Sequence, residues 1–289
     1  MTKPRVLQLV DSFNQGGSER QAVQLARLLH ESGEYEVMVA CLNQRGPLRA
    51  EVESLRLGEI PAFPLTSFFD ANFVRQVMRF ARYLRRHEVA VVQSSDFYTN
   101  IFGMLAATLA SVPVRIAARR ESGKRSAFKR RIERGAYRLA QAVIANCETV
   151  RDQLIAEGVP EQKIITSYNG LELARYLPRT ESKREEQFAS LGLPQAFGRR
   201  LVTMVANLRS VKDHSTLLRA AQLVCSAVPD AAFCLAGEGE LLEPLRQQAA
   251  RLGLAEDVFF VGRCRQVAEL LAVSELGVLS SASEGFSNA

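Results

Sequence analysis

The chain has 289 residues, 47% of them hydrophobic and 24% charged, with a net charge of +6. That is ordinary globular composition, and it excludes intrinsic disorder. No run approaches the roughly 18 consecutive apolar residues of a membrane-spanning helix, and MTKPRVLQLVDSF lacks the apolar stretch and cleavage site of a secretory signal, so a cytoplasmic location is expected.

Apolar, β-branched runs alternate with amphipathic stretches along the chain. RVLQLV predicts a strand and SERQAVQLARLLHES a helix that buries Val23, Ala26 and Leu28 or Leu29, with Ser18 capping a start near Glu19. EVMVACL is the next strand, followed by a helical PLRAEVESLRL and a short apolar AFPL. Then come NFVRQVMRFARYLRRH (helix), VAVVQ (strand), NIFGMLAATLAS (helix), PVRIAA (strand) and KRRIERGAYRLA (helix). AVIA, ETVRDQLIAEG and KIITSY add a strand, a helix and a strand. Single helices between strands predict βαβ units and a doubly wound, mostly parallel α/β sheet.

The Asn-Gly turn of YNGLELARYL, Pro178 and the charged stretch after it break the rhythm. They predict two domains, 1–178 and 179–289. The alternation restarts with RRLVTMVANL, HSTLLRAAQLVCSA, AAFCLAGEGE, LLEPLRQQAARLG, DVFFVG, QVAELLAV and ELGVLSS, a second Rossmann-like unit.

Five cysteines with no CxxC pair, and histidines scattered at His30, His87 and His214, point to neither a disulfide framework nor a metal centre. Charge is unevenly spread: residues 1–178 carry a net +7 and the remainder a net −1. Residues 115–138, RIAARRESGKRSAFKRRIERGAYR, hold ten basic and two acidic side chains. A solvated face and an anionic partner (a phosphate-bearing substrate or an acidic membrane surface) both account for such a run. Aromatic interleaving is limited to Phe128 and Tyr137, which argues against nucleic acid.

Several loops suit phosphates. Gly16 and Gly17 precede the first helix, where glycines admit close backbone approach and helix amides attract anions. Their spacing is not the GxGxxG of a dinucleotide fold. Gly237 and Gly239 follow AAFCL, and SSASEGFSNA follows GVL, both at strand C-terminal ends where open α/β sheets bind ligands. Arg209 and Lys212 share the loop LRSVKDH. Together a planar fork and a point charge can neutralise a diphosphate, and cations near a helix start oppose its dipole unless something else holds them there.

In combination, GGSER, ANCETVRDQL, SYNGLELARY, VANLRSVKDHSTLLRAA, LAGEGELLEPLRQQAARLGLAEDVFFVGR and SEGFSNA resemble the retaining glycosyltransferases of family four, of GT-B fold. The resemblance implies two Rossmann-like domains facing a cleft, a nucleotide diphosphate sugar as donor, an acceptor glycan or lipid-linked sugar, and no metal. It implies that Arg209 and Lys212 grip the diphosphate and that Glu284 contacts donor-sugar hydroxyls. Backbone amides around Gly285, Phe286 and Ser287 would meet the phosphates, with Gly16 and Gly17 facing them. Many relatives carry a His near the donor sugar; here the stretch reads AARRESGK, so Arg119, Arg120 or Glu121 fills that place. The second Glu of the family signature would fall at position 292, past Ala289. The expectation is a C-terminally truncated transferase of cell-envelope glycans, peripheral at the inner membrane face through residues 115–138. A GT-B nucleotide-sugar epimerase and a non-catalytic fragment stay open as alternatives.

Overall fold

The computed structural model describes residues 3–123, 125–172 and 184–289. The chain forms two compact units, Met1–Gly170 with Gly285–Asn288, and Leu171–Glu284 with Ala289. The hinge expected at Pro178 lies outside the described residues.

In the first unit the elements run β1 (Arg5–Val10), α1 (Gly17–Glu31), β2 (Glu36–Cys41), α2 (Arg49–Ser54), α3 (Ala71–Arg86) and β3 (Val91–Ser94). They continue with α4 (Phe97–Leu109), β4 (Val114–Arg119), α5 (Ala127–Leu139), β5 (Ala142–Ala145), α6 (Glu148–Ala156) and β6 (Ile164–Thr166). The strands are ordered β2-β1-β3-β4-β5-β6, and every pairing is parallel. Helices cover both faces. Leu7, Leu9 and Val92 pack with Phe80, Leu84 and Phe102 on one side, while Val37 and Val39 pack with Ala22, Val23 and Ala26 on the other.

Local details depart from the sequence expectation. The first helix starts at Gly17 with Gly16 as its N-cap and no side-chain cap, so Ser18 does not cap it. The Glu19 carboxylate folds back against Gly16. Leu29 packs on the core, whereas Leu28 is 47% exposed, one position beyond the helix's apolar stripe. AFPL contributes only the bridge Cys41–Ala62. The fourth helix begins at Phe97, three residues early, because Asp96 and Thr99 form a reciprocal capping box.

The second unit holds α7 (Arg184–Ser190), β7 (Arg200–Val205), α8 (His214–Ala227), β8 (Ala231–Ala236), α9 (Leu242–Arg251), β9 (Val258–Gly262), α10 (Val267–Val273) and β10 (Leu276–Gly277). Its parallel strands are ordered β10-β7-β8-β9. All six residues of β8 are buried, as a central parallel strand requires. Phe233 and Leu235 face α8 and α9, and Ala232, Cys234 and Ala236 face α7 and α10.

Strand order reverses between β1 and β3 in one sheet and between β7 and β10 in the other. The crevices beyond those strands' C-terminal ends are where open α/β sheets take ligands. Among the described residues no helix is long and apolar enough to cross a membrane.

Candidate active site

In the second unit the loops after β7 and β10 meet at the point of reversal. The amide of Ala282 donates to the Val211 carbonyl at 2.9 Å, and the Ser280 hydroxyl donates to the carbonyls of Lys212 and Asp213 at 3.1 and 3.0 Å. Lys212 Nζ thereby reaches both Glu284 carboxylate oxygens, at 2.6 and 2.5 Å. Both side chains remain partly accessible, 21% and 28%, so the pair stands where a ligand can reach it. Arg209 is exposed on the same loop and makes no ion pair among the described residues. Asp213 closes the loop in the left-handed region (φ 47°) and accepts from the Thr216 amide to start α8. The Thr216 hydroxyl and then its amide, both bonding to the carboxylate, hold it below the usual range.

Gly237 and Gly239 support this loop from the neighbouring strand. A Cβ at either position would run into the carbonyls of Ala206 and Leu208, and the Leu208 amide donates to the Glu238 carbonyl at 2.9 Å. The backbone contact accounts for both glycines and braces the loop that carries Arg209 and Lys212. His214 is buried at the start of α8, and burial together with the Lys212 charge keeps its pKa below the ordinary imidazole value, hence neutral at pH 7.

In the first unit, β1 and β3 deliver Asp11 and Asp96 to the other reversal. Burial, followed by the charges of Asp11 and Glu19, pushes Asp96 up to about 6 despite the Thr99 amide bond that favours ionisation. Burial also raises Asp11. Gly16 and Gly17 begin α1, with the Glu19 carboxylate against Gly16 and its charge felt by Asp96.

Beyond β4, β5 and β6, still in the first unit, Arg120 Nη1 donates to Asn169 Oδ1 at 2.8 Å and Asn146 Nδ2 donates to the Arg120 carbonyl at 3.0 Å. Asn169 Nδ2 in turn donates to the Phe286 carbonyl at 3.0 Å and to Asn288 Oδ1 at 2.7 Å. Gly285 packs on the Arg120 carbonyl and the Asn146 amide, which a Cβ would displace. Phe286 meets Tyr168 edge-on at 5.3 Å, and Ser287 is half-buried.

Residues 15–175 match the model of Glycosyltransferase Family 4, and residues 183–289 match that of Glycosyl transferases group 1. The chain belongs to Glycosyltransferase Family 4. It is 29% identical over 296 residues to EpsF of Bacillus subtilis (strain 168), covering 98% of this chain and 75% of that protein. It is 24% identical over 287 residues to the UDP-Gal:alpha-D-GlcNAc-diphosphoundecaprenol alpha-1,3-galactosyltransferase of Escherichia coli, covering 93% and 71%. Its fold is similar to that of Anabaena HepE, solved in complex with UDP, with a TM-score of 0.83 at 19% identity over 98% of this chain and 76% of that one. A glycosyltransferase from Rickettsia africae ESF-5 superposes with a TM-score of 0.78 at 17% identity, over 97% and 74%. The architecture is thus GT-B, two Rossmann-like parallel-sheet units, and the protein is a glycosyltransferase.

Within this glycosyltransferase the expected residues fall into two groups, Arg209, Lys212, Gly237, Gly239 and Glu284 in one unit and Gly16, Gly17, Gly285, Phe286 and Ser287 in the other. The three residues competing for the relatives' histidine position separate cleanly. Arg119 is 1% exposed and is held by Glu157 at 2.6 Å; Glu121 points to solvent, 3.8 Å from Arg125. Arg120 alone turns toward the polar cluster. Sequence reasoning did not single out Asp11, Asp96 or Asn146. The DFYT capping box was the one local signal for Asp96.

Proposed function

We propose that this glycosyltransferase moves a sugar from a nucleotide diphosphate donor to an acceptor hydroxyl with retention of configuration, in the synthesis of envelope polysaccharide or glycolipid. The observation that carries the reading is the Lys212–Glu284 pair at the β7/β10 reversal, a cation and a hydroxyl-binding carboxylate side by side. The UDP complex of HepE and the lipid-linked acceptor named for the Escherichia coli relative support it. The acceptor oxygen bonds to the anomeric carbon as the bond from that carbon to the phosphate oxygen breaks. The diphosphate leaves with the electron pair, and its oxygen takes the acceptor proton. Lys212 and Arg209 stabilise the departing charge, so catalysis rests on positioning and electrostatics.

Lys212→Ala is expected to lower kcat about a hundredfold or more at saturating UDP-sugar; wild-type turnover would overturn the assignment. Product analysis separates the neighbouring reading, since an epimerase converts the nucleotide sugar with no acceptor present.

The chain meets its acceptor at the anionic inner face of the membrane. Residues 115–138 carry only a share of that contact, because Arg119 and Arg125 are spent on Glu157 and Glu133 and Arg115 on the carbonyls of Leu139 and Val112. Lys129, Arg130 and Arg131 remain exposed. The third helix adds five exposed arginines (Arg75, Arg79, Arg82, Arg85, Arg86) and no acid. Phe69 and Phe128, 77% and 60% exposed, meet at 6.1 Å and join the two basic surfaces with an apolar seam suited to a headgroup region.

A further inference from the structure

Guanidinium groups buried in the first unit generally come with a partner. Arg119 has Glu157 at 2.6 Å and Arg125 has Glu133, while Arg115 donates to two backbone carbonyls at 2.8 and 2.7 Å. Arg120 differs. It is half-buried and makes no ion pair among the described residues, and its one side-chain partner is the neutral Asn169 amide oxygen at 2.8 Å. Its Nε is buried with no partner at all. A guanidinium offers five donors, and a desolvated cation without a counter-charge is a standing cost. Beside it Asn146 is 1% exposed, and its Oδ1 also lacks a partner.

The position is as informative as the deficit. Arg120, Asn146 and Asn169 follow β4, β5 and β6, so all three lie on the C-terminal edge of a parallel sheet. A packing role would call for a satisfied side chain, as Arg119 shows one residue earlier.

We infer that Arg120 is the cation of an anion-binding subsite on the first unit, which takes a phosphate group of a substrate, with Asn146 Oδ1 accepting from a hydroxyl beside it. Burial holds Arg120 below the usual guanidinium range with no carboxylate acting on it; a bound phosphate would replace the missing counter-charge. The inference rests on the transfer reaction proposed above, which supplies two sources of the same chemistry. One is the diphosphate of the donor; the other is the diphosphate of an isoprenyl-linked acceptor.

Calorimetric titration of the chain with UDP and, separately, with farnesyl diphosphate distinguishes them. In Arg120→Gln a rise of about tenfold or more in the UDP dissociation constant, with farnesyl diphosphate unaffected, assigns the subsite to the donor. The reverse pattern assigns it to the acceptor. If Arg120→Gln binds both like wild type while Lys212→Ala loses UDP, the subsite is overturned and the proposed function stands. If the wild-type chain binds neither compound, both fail. A second measurement needs no variant. Phenylglyoxal labelling of Arg120, read by peptide mass spectrometry, should slow at least severalfold when the assigned diphosphate is bound, and an unchanged rate would overturn the inference.

Discussion

Burial pushes Asp96 up to about 6 while its carboxylate accepts from the amides of Tyr98 and Thr99 at 2.9 and 3.0 Å. Its folded pKa thus lies above the ordinary aspartate value of 3.8. Between about pH 4 and 6 the folded chain holds a proton that the unfolded chain has released, so stability falls as pH rises through that window. The loss is on the order of 3 kcal/mol. Asp96→Asn keeps an N-cap acceptor and removes the titration. It should melt higher than wild type at pH 7.5, and the difference should vanish near pH 4. Parallel melting curves across that range would show that Asp96 does not titrate there. The sequence reading starts this helix at Asn100 and passes over the capping box in DFYT. It could not show the burial that raises Asp96 most, or the added charges of Asp11 and Glu19, more than seventy positions upstream. Nor could adjacency tell Arg119 from Arg120. Strand alternation turns one inward to Glu157, 38 residues on, and the other to the sheet edge.

At the scale of elements, the parallel sheets were readable from the alternation of strands and helices, because parallel strands buried on two faces write continuous apolar runs such as AAFCLA. The order of the strands, and with it the two reversals, was not, because it is set by tertiary pairing. The third helix shows itself in sequence through its apolar stripe. Its charge is as telling: arginines at 75, 79, 82, 85 and 86 and no acid give it a basic exposed face that also carries Val74 and Met78, and the partner surface on α5 comes from a segment more than forty residues away. Vesicle sedimentation checks the combined surface. Arg75→Glu with Arg82→Glu should reduce binding to phosphatidylglycerol vesicles as strongly as Arg130→Glu with Arg131→Glu, and 0.5 M salt should reduce both further. If only the α5 pair matters, the third helix does not touch lipid. Binding to phosphatidylcholine alone would point to the aromatic seam rather than charge.

For the molecule as a whole, each unit has its own pair of cores, one on either face of its sheet. Independent cores make independent cooperative units. Scanning calorimetry should resolve two transitions, and UDP should raise the one belonging to the unit with Lys212, by an amount set by its saturation. A single transition that UDP does not move would count against both the division and the donor site. The two-unit plan was visible in the interrupted rhythm of the sequence.

The contact between Lys212 and Glu284 has one more consequence. The ammonium is already paired with Glu284 before any substrate arrives, so in the proposed reaction a phosphate reaching it enters by exchange: the lysine trades one anion for another. A full donor favours the exchange, because its sugar hydroxyls can take the place of the ammonium at Glu284. UDP by itself brings no donor-sugar hydroxyl to Glu284 in place of the ammonium, which in this proposal favours its ejection once the sugar has gone. Glu284→Gln should therefore hold UDP more tightly than wild type while transferring sugar more slowly, turning spent donor into a lingering inhibitor.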